Sequence, residues 1–227
     1  MSIWERVYLH SLHHPGAAWL SAALVLGVML RRLPFFYAFI IGAVVVSAAD
    51  AMITGGWSQL GGQAHPSYVG LSWFFVLAGD YRVFLLLERY RRARSESWSG
   101  GAGVWWRALG WTLIASVVVG LISVSSDLFN ASARRLYLTY ELVALGVVAL
   151  VWRVRVLGAM PPGDPVRRWL SRVAIFVMVQ YALWAGADVV ILAGLDVGHL
   201  LRMIPNLMYY ALFLPVVLLS APPLEDR

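Results

Sequence analysis

The sequence contains no cysteine and no lysine, and only 13% of its residues are charged. Without cysteine there can be no disulfide, no thiolate catalysis, no iron–sulfur cluster and no zinc–thiolate site. Without lysine, all 18 basic side chains are arginine. No Schiff base to a cofactor can then form, which excludes the usual attachment of retinal, and no other cofactor is expected. An arginine-only set also fits a GC-rich genome. Charge is scarce because hydrophobic residues make up 60% of the chain, whereas a soluble domain carries about a quarter charged residues. The balance is that of an integral membrane protein, with a bacterial inner membrane as the expected location. The formal net charge of +6 sits beside apolar segments, so nucleic acid is not an expected partner. There is no glycine-rich phosphate loop, nucleophile elbow or nucleic-acid module, which excludes soluble enzymology of those kinds.

Crossing about 30 Å of hydrocarbon takes roughly 20 apolar residues. Seven such windows recur, near 16–31, 34–54, 68–88, 107–127, 136–156, 168–193 and 200–220. The expected fold is all-α, one transmembrane domain spanning 1–227. Arginines near segment ends divide by side: Arg31, Arg32, Arg89, Arg91, Arg92, Arg94, Arg107, Arg153, Arg155, Arg167, Arg168 and Arg172 against Arg6, Arg134, Arg135 and Arg202. The positive-inside rule makes the richer side cytoplasmic. The amino terminus then faces outward and the carboxyl terminus inward. The opening residues lack the basic leader, apolar core and cleavage site of a signal peptide. Ile3, Trp4, Val7, Tyr8 and Leu12 instead recur at helical spacing. They predict a short interfacial helix over 1–14, ending before Pro15. His10, His13 and His14 then sit near the headgroups as solvated side chains.

The longer connections, 55–66, 95–103 and 160–165, are rich in glycine, proline and serine and make poor helix. Segments two and six share the pattern A-D-x-x-I-x-x-G at Ala49-Asp50 and Ala187-Asp188. Segments one and five both end in closely spaced arginines, Arg31-Arg32 and Arg153-Arg155. The expected organisation is a three-helix unit over 16–94, a linker helix over 104–128 and a second three-helix unit over 136–220. This three-plus-one-plus-three plan with an outward amino terminus resembles SWEET-type sugar transporters, vitamin transporters of similar size and microbial rhodopsins. The resemblance covers the architecture of the whole chain and rests on no diagnostic motif. It implies a ligand or proton handled within the bundle, without retinal photochemistry.

Asp80 and Arg82 lie well inside segment three, in the run FFVLAGDYRVFLLLE, where a charge costs roughly 2.5–3.5 kcal/mol on insertion scales. Residues two apart on a helix point to different sides, so the two charges cannot simply neutralise each other. Arg82 is within about 9 Å of the inner end and has an ordinary way out, snorkelling to cytoplasmic phosphates; its other reading is to stabilise the charged form of Asp80 or to close an inner gate. Asp80 has no such escape. It must meet a partner, bind a proton or line a wet cavity. Trp73, Asp80 and Phe84 share one helical face, with Glu88 near it.

Other segments carry acids with aromatics one or two turns away: Glu141 with Tyr137, and Asp188 with Tyr181 and Trp184. Thr112, Ser116, Gly120 and Ser123 form a small-residue stripe on segment four, first of all a packing seam. Ser47, Asp50 and Thr54 repeat the idea on segment two. Asp50 and Asp127 sit near helix carboxyl ends, where the backbone dipole disfavours an anion. Their expected partners are Arg134, Arg135, Arg202, His65 or His199, although Asp127 also reads as a solvated residue ahead of the turn FNAS. His199, Arg202, Asn206, Tyr209 and Phe213 share one face of segment seven, broken by Pro205.

The leading expectation is a transporter or sensor whose outward cavity binds a small polar or cationic solute. Asp50, Glu141, Trp184, Asp188, Arg202, Asn206 and Tyr209 would line it, with Asp80 as the proton-coupling acid and Arg82 below. The alternatives are a metal-dependent lipid hydrolase using His65, His199, Asp50 and Asp188, and a structural subunit pairing its buried charges with another membrane protein. No H-x-x-x-H or H-E-x-x-H spacing supports the metal. The arginine-rich run at 89–94 suits anionic lipid or an acidic partner, and first of all marks topology. The expected partners are thus the bilayer and a small solute or proton, with a second membrane protein under the structural-subunit alternative.

Overall fold

The computed structural model describes residues 2–10, 13–29, 37–55, 57–60, 65, 67–91, 101–126 and 133–222. Among them there is helix and no strand. The helices are α1 (Ile3–Tyr8), α2 (His13–Met29), α3 (Tyr37–Thr54), α4 (Tyr68–Arg91), α5 (Gly101–Ser126), α6 (Ala133–Val151), α7 (Pro165–Leu192), α8 (Val197–Leu207) and α9 (Phe213–Ser220). A π-helical stretch, Trp152–Leu157, extends α6, and another, Met208–Leu212, joins α8 to α9. The expectations resting on Arg31, Arg32, Arg92, Arg94, Asp127, the stretch 95–100 and the FNAS turn, and those on the side chains of His13 and His14, lie outside the described residues.

Where its residues are described, each apolar window of the sequence is helical, the last one shared by α8, the Met208–Leu212 stretch and α9. Among the described residues, four helical stretches are long and apolar enough to cross a membrane: Gly70–Tyr90, Ala102–Ser126, Pro165–Leu192 and Val197–Ser220. Phe39–Thr54 is apolar but shorter. The outward surface fits the same reading, since Phe74, Trp106, Leu121, Val124, Leu142, Val179 and Leu219 are all exposed. The protein is all-α and carries the membrane-spanning character its composition implies.

Local sequence explains where the elements start and stop. Ser2 caps α1 through a capping box, its hydroxyl accepting from the Glu5 N–H at 3.1 Å while the Glu5 carboxylate accepts from the Ser2 N–H at 3.3 Å. At six residues α1 is shorter than the interfacial helix expected, and it packs on α8. Pro15 falls in the first turn of α2, where its missing N–H costs nothing. Asp164 caps α7, accepting from the Val166 N–H at 2.8 Å with Pro165 in the first turn. The preceding turn needs a left-handed residue, and Gly163 supplies it at φ +86°.

Consecutive helices pack on one another, α2 on α3, α3 on α4, α4 on α5, α5 on α6, α6 on α7 and α7 on α8. The last segment, Met208–Ser220, packs back on α2 and closes the ring. In both expected units the middle helix, α3 or α7, touches the other two, and α5 sits between α4 and α6. Helix α4 also contacts α7 and the Trp152–Leu157 stretch, which makes it the inner member of the bundle.

The core lies toward the end of the bundle where α4 finishes. Phe84, Leu87, Val148, Val151, Trp169, Leu170, Val173, Phe213, Leu214 and Val217 form its buried centre. Lipid tails are as apolar as leucine, so tight packing rather than escape from water must hold such helices together. Buried Ala108, Ala115, Ala144 and Ala174 allow that close approach. Thr112 is buried in the same seam and donates to the Ala108 carbonyl of its own helix at 2.8 Å. That bond satisfies the Thr112 hydroxyl within its own helix, whereas the buried Ser123 hydroxyl of the same stripe has no partner among the described residues. Past Gly79 the packing gives way to polar contacts.

Candidate functional site

Three levels of buried charge cross the bundle. Asp188 lies seven residues beyond Tyr181 on α7, about 10 Å along the axis, and Glu88 lies eight beyond Asp80 on α4, about 12 Å further. The column therefore runs through roughly 22 Å, most of a hydrocarbon core of about 30 Å.

The outer level is built on Arg202 of α8. Its guanidinium donates to Glu141 of α6 at 3.0 Å, to Asp188 of α7, and through Nε to the Tyr8 hydroxyl of α1 at 3.0 Å. Arg134 also reaches Asp188, at 3.2 Å. A planar fork with several donors suits two carboxylates and a phenol at once. Glu141 Oε2 and Asp188 Oδ2 are nevertheless left without a partner among the described residues. Tyr8 and the hydrogen bond from Ser2 to Asp196 tie α1 over this end. Gly198 lets α8 turn back closely, since a Cβ there would lie 2.5 Å from the Ile191 side chain and 2.9 Å from the Ala187 carbonyl.

The middle level holds Asp80, which is 5% exposed. Its carboxylate accepts from the Tyr140 hydroxyl of α6 at 2.5 Å and from the Tyr181 hydroxyl of α7. It forms no ion pair among the described residues. Arg82 is 7% exposed and points elsewhere. It donates to Ser47 Oγ of α3 at 2.9 Å and to the Tyr209 carbonyl at 3.0 Å, with its guanidinium 4.4 Å from the ring centres of Tyr209 and Phe213. The cation–π faces and the two oxygens offset its burial. Arg82 thus does not reach for the inner headgroups, because α3 and the last segment hold its head inside the bundle.

Asp50, on α3, accepts from the Tyr210 hydroxyl at 2.8 Å and the Thr54 hydroxyl at 3.0 Å. Its hydrogen-bond donors are therefore hydroxyls, not the arginines and histidines expected from its place near a helix end. At the same level Trp184 donates to the Asn206 side-chain oxygen at 2.7 Å and lies between the rings of Tyr181 and Tyr209, each 5.6 Å from its own. The Tyr209 ring occupies the space left by Gly79, where a Cβ would fall 2.0 Å from the phenolic oxygen.

The inner level centres on Glu88, which is 0% exposed. Arg107 of α5 and Arg155 of the π-helical stretch reach it at 3.3 and 3.0 Å, and the Trp111 indole N–H donates to it at 3.0 Å. Sequence reasoning counted Arg107 and Arg155 as topology signals and missed this cluster. The available signal was Glu88 itself, a carboxylate near the end of an apolar run.

The sequence-predicted residues thus fall into two groups. Glu141, Asp188 and Arg202 form the outer level, while Asp50, Asp80, Arg82 and Tyr209 gather in the middle beside Trp184 and Asn206. Asp50 does not share the Arg202 cluster. His65 accepts from the Ser67 N–H at 3.1 Å in a turn, and His199 packs against Tyr8 with ring centres 5.9 Å apart. Among the described residues no three histidine, aspartate or glutamate side chains come together as a metal site. The chain matches no family model, no curated protein and no solved structure.

Proposed function

We propose that the chain is a seven-helix membrane protein of a bacterial inner membrane, a transporter or sensor for a small polar or cationic solute coupled to protonation of Asp80. One observation carries the reading: Asp80 is enclosed midway along the charge column and held by two phenols rather than by an arginine. Phenols serve both states of a carboxyl group. They donate to the anion, and a phenolic oxygen can accept from the protonated acid. The cost of an intramembrane carboxylate makes such a position a candidate for a proton or ion pathway.

The outer level is the solute's entry in this reading. Arg202 fills the place between Glu141 and Asp188 that a cation takes, and the two spare carboxylate oxygens await further donors. Displacing Arg202 would open the way to Trp184, Asn206 and Tyr209. Arg82, held on Ser47 and the Tyr209 carbonyl, then keeps a fixed positive charge inside the bundle near the middle level. The richer arginine side is cytoplasmic, so α1 and Tyr8 cover the outer face.

The test uses full-length protein in phosphatidylethanolamine and phosphatidylglycerol liposomes carrying an internal pH dye. A pH gradient is imposed and guanidinium, choline and putrescine are added in turn. Wild-type protein is expected to couple dye response to at least one cation, and Asp80→Asn to abolish that response while inserting normally. Unchanged coupling in Asp80→Asn would sink the role.

A further inference from the structure

An open groove of ≈ 400 Å³ lies where α6 hands over to α7, at the opposite end of the bundle from Arg202. Trp152, Leu157 and Ile175 form apolar walls, and Arg167, Arg168 and Arg172 stand beside them. We propose that this groove binds one anionic phospholipid, with its phosphate between the arginines and an acyl chain along the apolar wall.

Three features point to that occupant. Arg167, Arg168 and Arg172 form no ion pair among the described residues, while Arg107, Arg134, Arg155 and Arg202 of the same bundle each hold a carboxylate. The arginines lie in the first turns of α7, whose amino-terminal dipole favours an anion. The nearby acid, Asp164, is turned back as the helix cap and accepts from Val166 at 2.8 Å. Finally, Ile175 is 46% exposed, so the groove offers apolar surface as well as charge. A free phosphate would use the arginines and leave that surface wet; a phospholipid uses both. Arginines at a membrane–water boundary each strengthen binding to anionic lipid.

Native mass spectrometry of the full-length protein in a neutral detergent tests this, with phosphatidylglycerol, phosphatidylcholine of the same chains and sodium phosphate as probes. Phosphatidylglycerol is expected to bind at one equivalent and at least about tenfold more tightly than phosphatidylcholine. Arg168→Gln combined with Arg172→Gln should weaken it about thirtyfold. Arg153→Gln, an exposed cation outside the groove, should leave binding unchanged. Thermal unfolding of each variant confirms that it is folded. Equal binding of the two lipids, displacement by phosphate at matched concentration, or unchanged binding in the double variant would each overturn the proposal.

Discussion

Two acids on one helix are solved in opposite ways. Glu88 is wholly buried and clamped by Arg107, Arg155 and Trp111. Asp80, two turns earlier, is as deep but rests on Tyr140 and Tyr181, with Arg82 turned away toward Ser47 and Tyr209. A carboxylate between two guanidiniums is locked in its charged form, since protonation would strand two cations. A carboxyl between two phenols keeps its hydrogen bonds in either state. The difference separates acids that hold the bundle together from the acid proposed to work in it. Asp188 and Glu141 stand between the two cases, since Arg202 binds both while each keeps one oxygen without a partner among the described residues.

Variants can break that contrast at graded cost. The largest loss is expected from Arg202→Gln, which leaves Glu141 and Asp188 buried with too few cations, at about 3–5 kcal/mol. Thermal unfolding in detergent reads it, and Arg202→Lys should recover only part because one ammonium cannot serve both acids and Tyr8. Glu88→Gln comes next. Its arginines are 30% and 28% exposed, so water relieves part of the cost, leaving about 2 kcal/mol. Proton-coupled activity should survive in that variant. Gly79→Ala pushes a methyl into Tyr209 and should cost roughly 1–3 kcal/mol. A tryptophan fluorescence change from Trp184, which packs on Tyr209, should accompany it. Asp80→Asn is the smallest in stability, below about 1 kcal/mol, since the amide oxygen still accepts from one phenol. Its loss of coupling should nonetheless be complete, and a stable but inactive Asp80→Asn beside an active but less stable Glu88→Gln is the pattern that sharpens the comparison most.

Much of the scaffold was legible because apolar windows bounded by arginine, glycine and proline leave helices few places to start and stop. The inability of Asp80 and Arg82 to pair was also legible, since two residues on one helix point apart whatever surrounds them. Where Arg82 goes was not. Its oxygens come from Ser47 on α3 and the Tyr209 carbonyl near the end of the chain, and local periodicity carries no such information. Tyr140 and Tyr210 escaped for a related reason. Tyr140 lies off the stripe of Tyr137 and Glu141, and the stripe through Arg202, Asn206 and Tyr209 assumed 3.6 residues per turn. The π-helical stretch Met208–Leu212 breaks that count, so that both Tyr209 and Tyr210 reach the polar middle. Charge-to-charge clusters such as Glu88 with Arg107 and Arg155 join three separate segments and become visible only when the helices are packed.

The most direct test of the proposed role of Asp80 is infrared difference spectroscopy of the full-length protein in lipid as pH is lowered. The account predicts a protonated-carboxyl C=O component that appears on acidification, is lost in Asp80→Asn and persists in Asp50→Asn and in Glu88→Gln. A spectrum unchanged by Asp80→Asn, or a component removed by Glu88→Gln instead, would contradict it.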